Sequence, residues 1–249
     1  MSYKSLIEAI KKEFENNEEI YGILVYGSAS RGDFIPSFSD LDLMLVVDCD
    51  FVIPRECYKK IGRSLVKLVE ENNIYIDVMI CDREILGTKF STLGPYIKKH
   101  IRNKGEMILG KNLKDLLSEN YFIDEDIAKS EARGYMAWNL NSSRKNAVYL
   151  GYYKKYDKKR FEEVIKQGLR SLPSFMRNAI LLKTDKWIED KGEIFESFKE
   201  EFRSLSFSEL DVGKRWSYLL EEEKVELFFQ SLNLREEIIK ILVEDLNKF

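Results

Sequence analysis

The sequence predicts an α+β (mixed α/β) protein in which a small mixed sheet with helices is followed by an all-α helical bundle. Up to Gly110, short apolar segments rich in β-branched residues alternate with helical segments, and Gly, Pro and Asn separate them. From Leu113 to Phe249 the apolar residues recur at intervals of three and four, which is the spacing of amphipathic helices. We therefore expect two domains, residues 1–118 and 119–249.

The first region alternates helices and strands. Helices are predicted over residues 5–16 and 54–71, and strands over residues 20–26, 41–47 and 74–81. Residues 27–39 carry Gly, Ser, Pro and Asp at the density of a loop. In the third strand the apolar residues alternate with Tyr75, Asp77 and Met79, so one face is predicted to be apolar and the other to carry Asp77.

The second region is predicted to be helical throughout. The predicted helices cover residues 124–153, 159–183, 192–202, 216–232 and 234–247. Pro173 lies inside the second of these, and we expect it to kink or break that helix because proline removes a backbone donor.

Composition excludes several classes of protein. Among 249 residues 44% are hydrophobic and 33% are charged, and no apolar run approaches the ~20 residues of a spanning helix. The start of the chain lacks the apolar core of a signal peptide, so we expect a cytoplasmic protein without a membrane partner. The net charge of −3 is evenly spread, so a nucleic-acid partner is not expected. The spacing of Cys49, Cys57 and Cys81 indicates neither a zinc site nor a disulfide framework.

The pair Gly27-Ser28 directly follows the first predicted strand. Glycine can adopt a positive φ angle there, and the serine hydroxyl and backbone N–H can face an anion such as a phosphate. Taken alone, such a pair is more often an ordinary turn. The phosphate interpretation therefore depends on further residues.

Three acidic residues supply that context. Asp40 and Asp42 stand at positions i and i+2 at the second strand, so they project from one face, ~7 Å apart along the chain. Isolated, such a pair would read as a solvated strand end. If the strands pair, however, Asp77 joins them, and three carboxylates can hold two divalent cations roughly 4 Å apart. Mg²⁺ is the expected ion, with Mn²⁺ as an alternative, and Asp77 is the best-placed general base.

Together these residues resemble the signature of the DNA polymerase β-like nucleotidyltransferase superfamily. The matching residues are Gly27-Ser28, Asp40-Leu41-Asp42 and Asp77, and the stretch from Tyr26 to Asp33 followed by Ser39 is similar to stand-alone and aminoglycoside (kanamycin-type) nucleotidyltransferases. The resemblance covers roughly residues 20 to 115. It implies that Gly27, Ser28 and Ser39 bind the nucleotide and that Asp40, Asp42 and Asp77 are catalytic metal ligands.

Two further basic features stand near this motif. Arg31 follows Gly27 closely and is a candidate phosphate ligand, although loop arginines are mostly solvated. Lys98, Lys99, His100 and Arg102 are predicted to form a basic helix face. We expect His100 to be an ordinary surface residue and leave it outside the site.

The helical half is similar in pattern to the helical domain of kanamycin-type nucleotidyltransferases and of the HEPN family. No His follows His100, so the Arg and His motif of HEPN ribonucleases is missing. Residues 149–160 interleave tyrosines with cations. That composition is typical of a base-stacking and phosphate-contacting surface, but it also fits a solvated connection whose tyrosines cap the bundle.

The predicted function is Mg²⁺-dependent transfer of a nucleoside monophosphate, AMP from ATP, to a hydroxyl of a small molecule or protein, with release of pyrophosphate. One alternative is a nucleotide-binding regulatory or antitoxin-type module without turnover, because a fold does not guarantee chemistry. Another is nucleotide addition to RNA, which the balanced charge disfavours. The acceptor, the base preference and the oligomeric state are not determined by the sequence.

Overall fold

The computed structural model describes residues 3–35, 38–72, 74–86, 95–117, 125–205 and 215–246. The chain divides into two compact units, Met1–Phe122 and Ile123–Phe249. The predicted boundary between residues 118 and 119 lies outside the described residues and stays a prediction. Within the described part of the chain, no helix is both long and apolar enough to cross a membrane.

The first unit is the predicted mixture of helices and strands. Its elements are α1 (Tyr3–Phe14), β1 (Ile20–Tyr26), α2 (Gly27–Arg31), β2 (Leu41–Val47), α3 (Arg55–Asn72), β3 (Ile76–Asp82), α4 (Arg83–Leu86), α5 (Pro95–Lys104), β4 (Glu106–Gly110) and a 3-10 turn (Leu113–Leu116). The predicted strands 20–26 and 41–47 are confirmed at both ends, and the third begins two residues later than predicted. The α+β class is confirmed.

Two elements of this unit differ from the prediction. Residues 27–31 form the short helix α2 rather than loop, and Gly32, with a φ of 83°, ends it. A helix of five residues is too short to show a hydrophobic period, so the composition of this segment predicts a loop. Strand β4 was not predicted, because a segment of five residues becomes a strand here through its pairing with β1.

The four strands form one mixed sheet in the order β3-β2-β1-β4. Strand β1 runs antiparallel to β2 and β4, whereas β2 and β3 are parallel and are joined through α3. The register places Tyr26 opposite Asp42, and Asp42 opposite Asp77. Residues opposite one another on neighbouring strands share a face of the sheet, so these three side chains lie on the same side.

The two faces of the sheet carry separate apolar layers. One face packs against α1 and α3, with Ile23, Val25 and Leu43 in its core. The other face carries Leu24 and Met44 and packs against α4, α5 and the 3-10 turn. By strand alternation Asp42 and Asp77 belong to this second face, at the end that the apolar layer does not fill.

The predicted basic surface on α5 is wrong for two of its four members. Lys98 and His100 are buried, with 8% and 9% of their surface exposed. Their helix packs the fully buried Ile101 against the second face of the sheet, and neighbouring positions are covered with it. A long lysine stem tolerates such a position because its methylene groups are apolar.

The second unit is helical, and no strand occurs among its described residues. Its elements are α6 (Glu125–Tyr156), α7 (Lys158–Arg170), α8 (Leu172–Thr184), α9 (Lys191–Glu201), a 3-10 turn (Trp216–Tyr218) and α10 (Glu221–Leu246). The predicted break near Pro173 is confirmed, because α7 ends at Arg170 and Pro173 lies in the first turn of α8. A backbone N–H in the first turn of a helix has no hydrogen-bond partner within the helix, so proline removes no hydrogen bond there.

The predicted pair of helices 216–232 and 234–247 is wrong, because α10 runs without a break from Glu221 to Leu246. Asn233 is an exposed residue inside it. Asparagine inside a helix is less favourable than alanine by well under about 1 kcal/mol. The buried neighbours Leu232, Leu234 and Ile238 pack in the core of the unit and outweigh that cost.

A fully buried arginine joins α10 to the connection between α7 and α8. The guanidinium of Arg235 donates to the Asn139 amide oxygen (2.8 Å), the Ser231 carbonyl (2.8 Å) and the Ser171 hydroxyl (3.0 Å), and also to the carbonyl of Gly168. Burial lowers its pKa to about 10. The arginine thereby satisfies polar groups left where α7 stops.

Candidate active site

Three carboxylates meet at one end of β2 and β3. One oxygen from each of Asp40, Asp42 and Asp77 lies within 4.8 Å of the others. Asp42 and Asp77 are opposite partners in the parallel register, and Asp40 stands two residues before Asp42. Asp40 and Asp42 are half-buried, whereas Asp77 is exposed. A set of carboxylate oxygens without nitrogen or sulfur fits Mg²⁺ or Mn²⁺.

Gly27 makes room for this cluster. Its φ is 70°, and a Cβ atom added to it would lie 1.9 Å from the Asp42 Oδ2 atom. The Asp42 carboxylate therefore packs directly on the glycine Cα, at the junction of β1 and α2. The conformation and the space both require glycine at this position.

Ser28 follows in the first turn of α2, and its hydroxyl oxygen is buried. None of the described residues hydrogen-bonds to its hydroxyl oxygen, although water does not reach it. A buried polar group without a partner is costly, so a hydroxyl of this kind is a candidate ligand contact. The prediction that Ser28 binds nucleotide remains a prediction.

The other two predicted nucleotide ligands have partners within their own loop. The Arg31 guanidinium contacts the Asp33 carboxylate, with Nε 3.4 Å from Oδ1. The Ser39 hydroxyl accepts a hydrogen bond from the Ile35 N–H at 3.0 Å and so fixes the loop that leads to Asp40. Neither contact reaches the carboxylate cluster, and a nucleotide role for both stays a prediction.

Tyr26 is a site residue that the sequence analysis did not select. It lies opposite Asp42, and burial raises its pKa well above the ordinary value, assisted by the negative charges of Asp42 and Asp77. The phenol is therefore a neutral hydrogen-bond donor beside the carboxylates at ordinary pH. Tyr26 directly precedes Gly27 and stands two residues after Leu24, so strand alternation places both side chains on the second face of the sheet. That spacing was the signal for Tyr26 available in the sequence.

The cysteines take no part in this chemistry. All three are free thiols. Burial raises the pKa of Cys81, which lies on the same face as Asp77, to about 11. A thiol with such a pKa is protonated at neutral pH and is a poor nucleophile.

Comparison with known proteins bears on the first unit. Residues 6–107 match the family model described as "Nucleotidyltransferase domain". No curated protein matches the chain in sequence. Solved structures that are similar to part of the chain include two toxin-antitoxin structures.

The first is a toxin-antitoxin structure with AMP-PNP, at 16% identity over 53% of this chain and 95% of that chain, with a TM-score of 0.34. The second is a mutant of the toxin-antitoxin MntA-HpeT in which two aspartates are replaced by glutamate, at 12% identity over 55% of this chain and 97% of that chain, with a TM-score of 0.32. Likeness at this level assigns neither a substrate nor a partner.

The family match covers β1, β2 and β3 and therefore every acid of the cluster. It confirms the resemblance drawn from Gly27-Ser28 and the three aspartates, and it supports an enzyme of this class. Residues 6–107 of this chain match the nucleotidyltransferase domain family, and the second unit lies outside that match.

Proposed function

We propose that this protein transfers AMP from ATP to a hydroxyl group of a small molecule or protein, in a Mg²⁺-dependent reaction that releases pyrophosphate. The observation that supports it is the cluster of Asp40, Asp42 and Asp77 beside Gly27, in which one oxygen of each carboxylate lies within 4.8 Å of the others. Nucleotidyl transfer is the activity of the matching family, whereas the ion, the nucleotide and the acceptor are our proposal.

In this proposal the turn at Gly27 binds the triphosphate. The Ser28 hydroxyl has no hydrogen-bond partner among the described residues, and a phosphate oxygen would supply one. Arg31 would exchange its contact with Asp33 for a phosphate, because a guanidinium binds phosphate oxygens at least as well as a carboxylate. Ser39 would act through the loop that holds Asp40.

The three aspartates divide into two roles. Asp40 and Asp42, which are half-buried, would hold Mg²⁺ together with Asp77. The bound ion would supply Lewis-acid stabilisation of the charge that develops on the α-phosphate. Asp77 is the most exposed of the three and is open to an acceptor, so it is our candidate to take the proton from the attacking hydroxyl.

The test uses the full chain with ATP labelled at the α-phosphate, Mg²⁺, and a panel of hydroxyl-bearing small molecules and soluble proteins. We expect label to move to an acceptor with an equal yield of pyrophosphate, and EDTA to stop both. Asp42→Asn should reduce transfer to background, because it removes one negative ligand oxygen from the cluster.

Asp48→Asn is the matched control. Asp48 follows β2 at the other end of the strand, where it pairs with Arg83 at 2.8 Å, so its loss should leave transfer unchanged. Full turnover by the Asp42→Asn variant would contradict the proposal. Tight binding of ATP and Mg²⁺ without pyrophosphate release, across the whole panel, would instead favour the non-catalytic regulatory module.

A further inference from the structure

The end of α6 carries four tyrosines on one side of the helix. Tyr149, Tyr152, Tyr153 and Tyr156 stand at positions i, i+3, i+4 and i+7. Their ring centroids are 4.9 Å apart for Tyr152 and Tyr156, and 6.1 Å apart for both Tyr149–Tyr153 and Tyr152–Tyr153. We call this set the tyrosine ladder. Along the helix axis it extends for about 10 Å.

The ladder faces outward rather than into the bundle. Tyr149, Tyr152 and Tyr156 are 47%, 59% and 64% exposed, whereas Asn146 and Leu150 of the same helix are buried. The helix continues to Tyr156 and only Asp157 separates it from α7, so the tyrosines lie on the last turns of a helix and not on a long connection. Single exposed aromatics are common, but a connected set of four rings, three of them exposed, is not explained by packing.

Positive charge is concentrated at the same place. Residues 144–160 contain seven Lys and Arg residues and one acid, in a chain whose net charge is −3. The Lys155 ammonium lies 5.1 Å from the ring centre of Tyr156, and the Arg160 guanidinium lies 5.9 Å from that of Tyr153. Cations at this distance are attracted to the ring face.

Acidic neighbours neutralise only part of this charge. Lys154 pairs with Glu221 at 2.7 Å and Arg144 pairs with Glu236 at 2.9 Å. The Asp157 carboxylate caps α7 by accepting a hydrogen bond from the backbone N–H of Arg160. Glu221 also interacts electrostatically with Lys158. Among the described residues, no ion pair engages Lys145, Lys155 or Lys159. A net positive surface therefore surrounds the exposed rings.

We propose that the tyrosine ladder and the cations around it bind single-stranded nucleic acid. Exposed rings offer flat faces on which unpaired bases stack, and the adjacent cations contact the phosphates. An acidic protein would use the charges but not a ladder of rings. A membrane surface would favour aliphatic side chains beside them. The ladder has room for about two or three bases, given its length of about 10 Å.

This site lies in the second unit and does not depend on the proposed nucleotidyl transfer. It departs from the expectation that the evenly balanced charge disfavours a nucleic-acid partner, because residues 144–160 contain seven cations and one acid. Binding is measured without ATP or Mg²⁺, so failure of one proposal leaves the other untouched.

The test is fluorescence anisotropy of a labelled 12-nucleotide oligouridylate with the full chain at 50 mM salt. We expect Tyr152→Ala to weaken binding by about 5- to 150-fold, the effect of losing one stacked base, and Tyr152→Phe to keep it within about twofold. Lys159→Glu should weaken binding and flatten its salt dependence, because each phosphate contact adds about −0.7 to the log–log slope for single strands.

Two control variants match these changes elsewhere on the protein. Tyr58→Ala removes an exposed tyrosine of α3 that also has lysine neighbours, and Lys240→Glu reverses an exposed charge on α10. Both should bind as the wild type does, and all variants should unfold at the wild-type temperature. The proposal is overturned if the wild type does not bind the oligonucleotide, or if Tyr152→Ala binds it unchanged. Preference for polyglutamate or for vesicles of anionic lipid over the oligonucleotide overturns it as well.

Discussion

Replacing Gly27 by alanine tests whether the turn after β1 positions the carboxylate cluster. The new Cβ would lie 1.9 Å from Asp42 Oδ2 and 2.7 Å from its Cγ, and real Cβ contacts essentially never fall below 3.0 Å. The Asp42 carboxylate must therefore move by about 1 Å or more. A misplacement of about 1 Å in a catalytic group can lower a rate about 10²-fold.

Gly32→Ala is a matched control because both glycines have a positive φ. Gly32 has a φ of 83°, and a Cβ added to it meets nothing within 4 Å. Alanine at either position costs about 1–2 kcal/mol of backbone strain. Only the variant at Gly27 adds the displacement of Asp42. Gly27→Ala should therefore lose at least as much stability as Gly32→Ala, and only Gly27→Ala should lose activity.

The comparison combines three measurements on both variants: the free energy of unfolding by urea, the affinity for Mn²⁺ by electron paramagnetic resonance, and pyrophosphate release from ATP. We expect Gly32→Ala to keep wild-type Mn²⁺ affinity and turnover, and Gly27→Ala to lose about two orders of magnitude in turnover with weaker Mn²⁺ binding. Equal turnover of the two variants would refute the inferred contact between Gly27 and Asp42.

The remaining predictions concern stability and thiol reactivity. Arg235→Ala should lower the free energy of unfolding by about 3 kcal/mol, because it leaves buried acceptors unpaired, whereas removal of the exposed Arg144 should cost under about 1 kcal/mol in urea titrations. Equal losses would contradict the buried network. Iodoacetamide should alkylate the native protein slowly at pH 7.5 and faster above pH 9, because burial raises the pKa of Cys49 to about 12 and of Cys81 to about 11. Since these pKa values exceed the ordinary value of 9.0, stability gained from the neutral thiols is present below pH 9 and is lost as pH rises towards 12. Rapid labelling of all three thiols in the folded state at pH 7.5 would refute the prediction of slow alkylation.

The sequence was sufficient for elements whose signals are local. Strands β1 and β2 were predicted to the residue because β-branched apolar segments are bounded by Gly, Ser and Asp. The break near Pro173 followed from the chemistry of proline alone. In contrast, α2 and β4 have five residues each, which is too short for periodicity to reveal.

Tertiary contacts overrode the local signals elsewhere. Asn233 sits between Leu232 and Leu234, and core packing of its neighbours carries α10 through it. His100 and Lys98 are predicted to be surface residues because charged side chains are usually exposed, yet the packing of Ile101 buries both. Such outcomes depend on which face of a helix meets the sheet, and that information is distributed over the whole chain.

The sequence by itself determined the residue types of the candidate site: a glycine and serine after a strand, two acids separated by one residue, and a third acid in a later strand. Only the tertiary structure decided that the three acids converge, because the parallel pairing of β2 with β3 sets Asp77 opposite Asp42. It also placed Tyr26 beside them and packed Gly27 against Asp42. The physical reason is register: strand alternation fixes a side chain's face locally, whereas its neighbour across the sheet is set by packing of the entire unit.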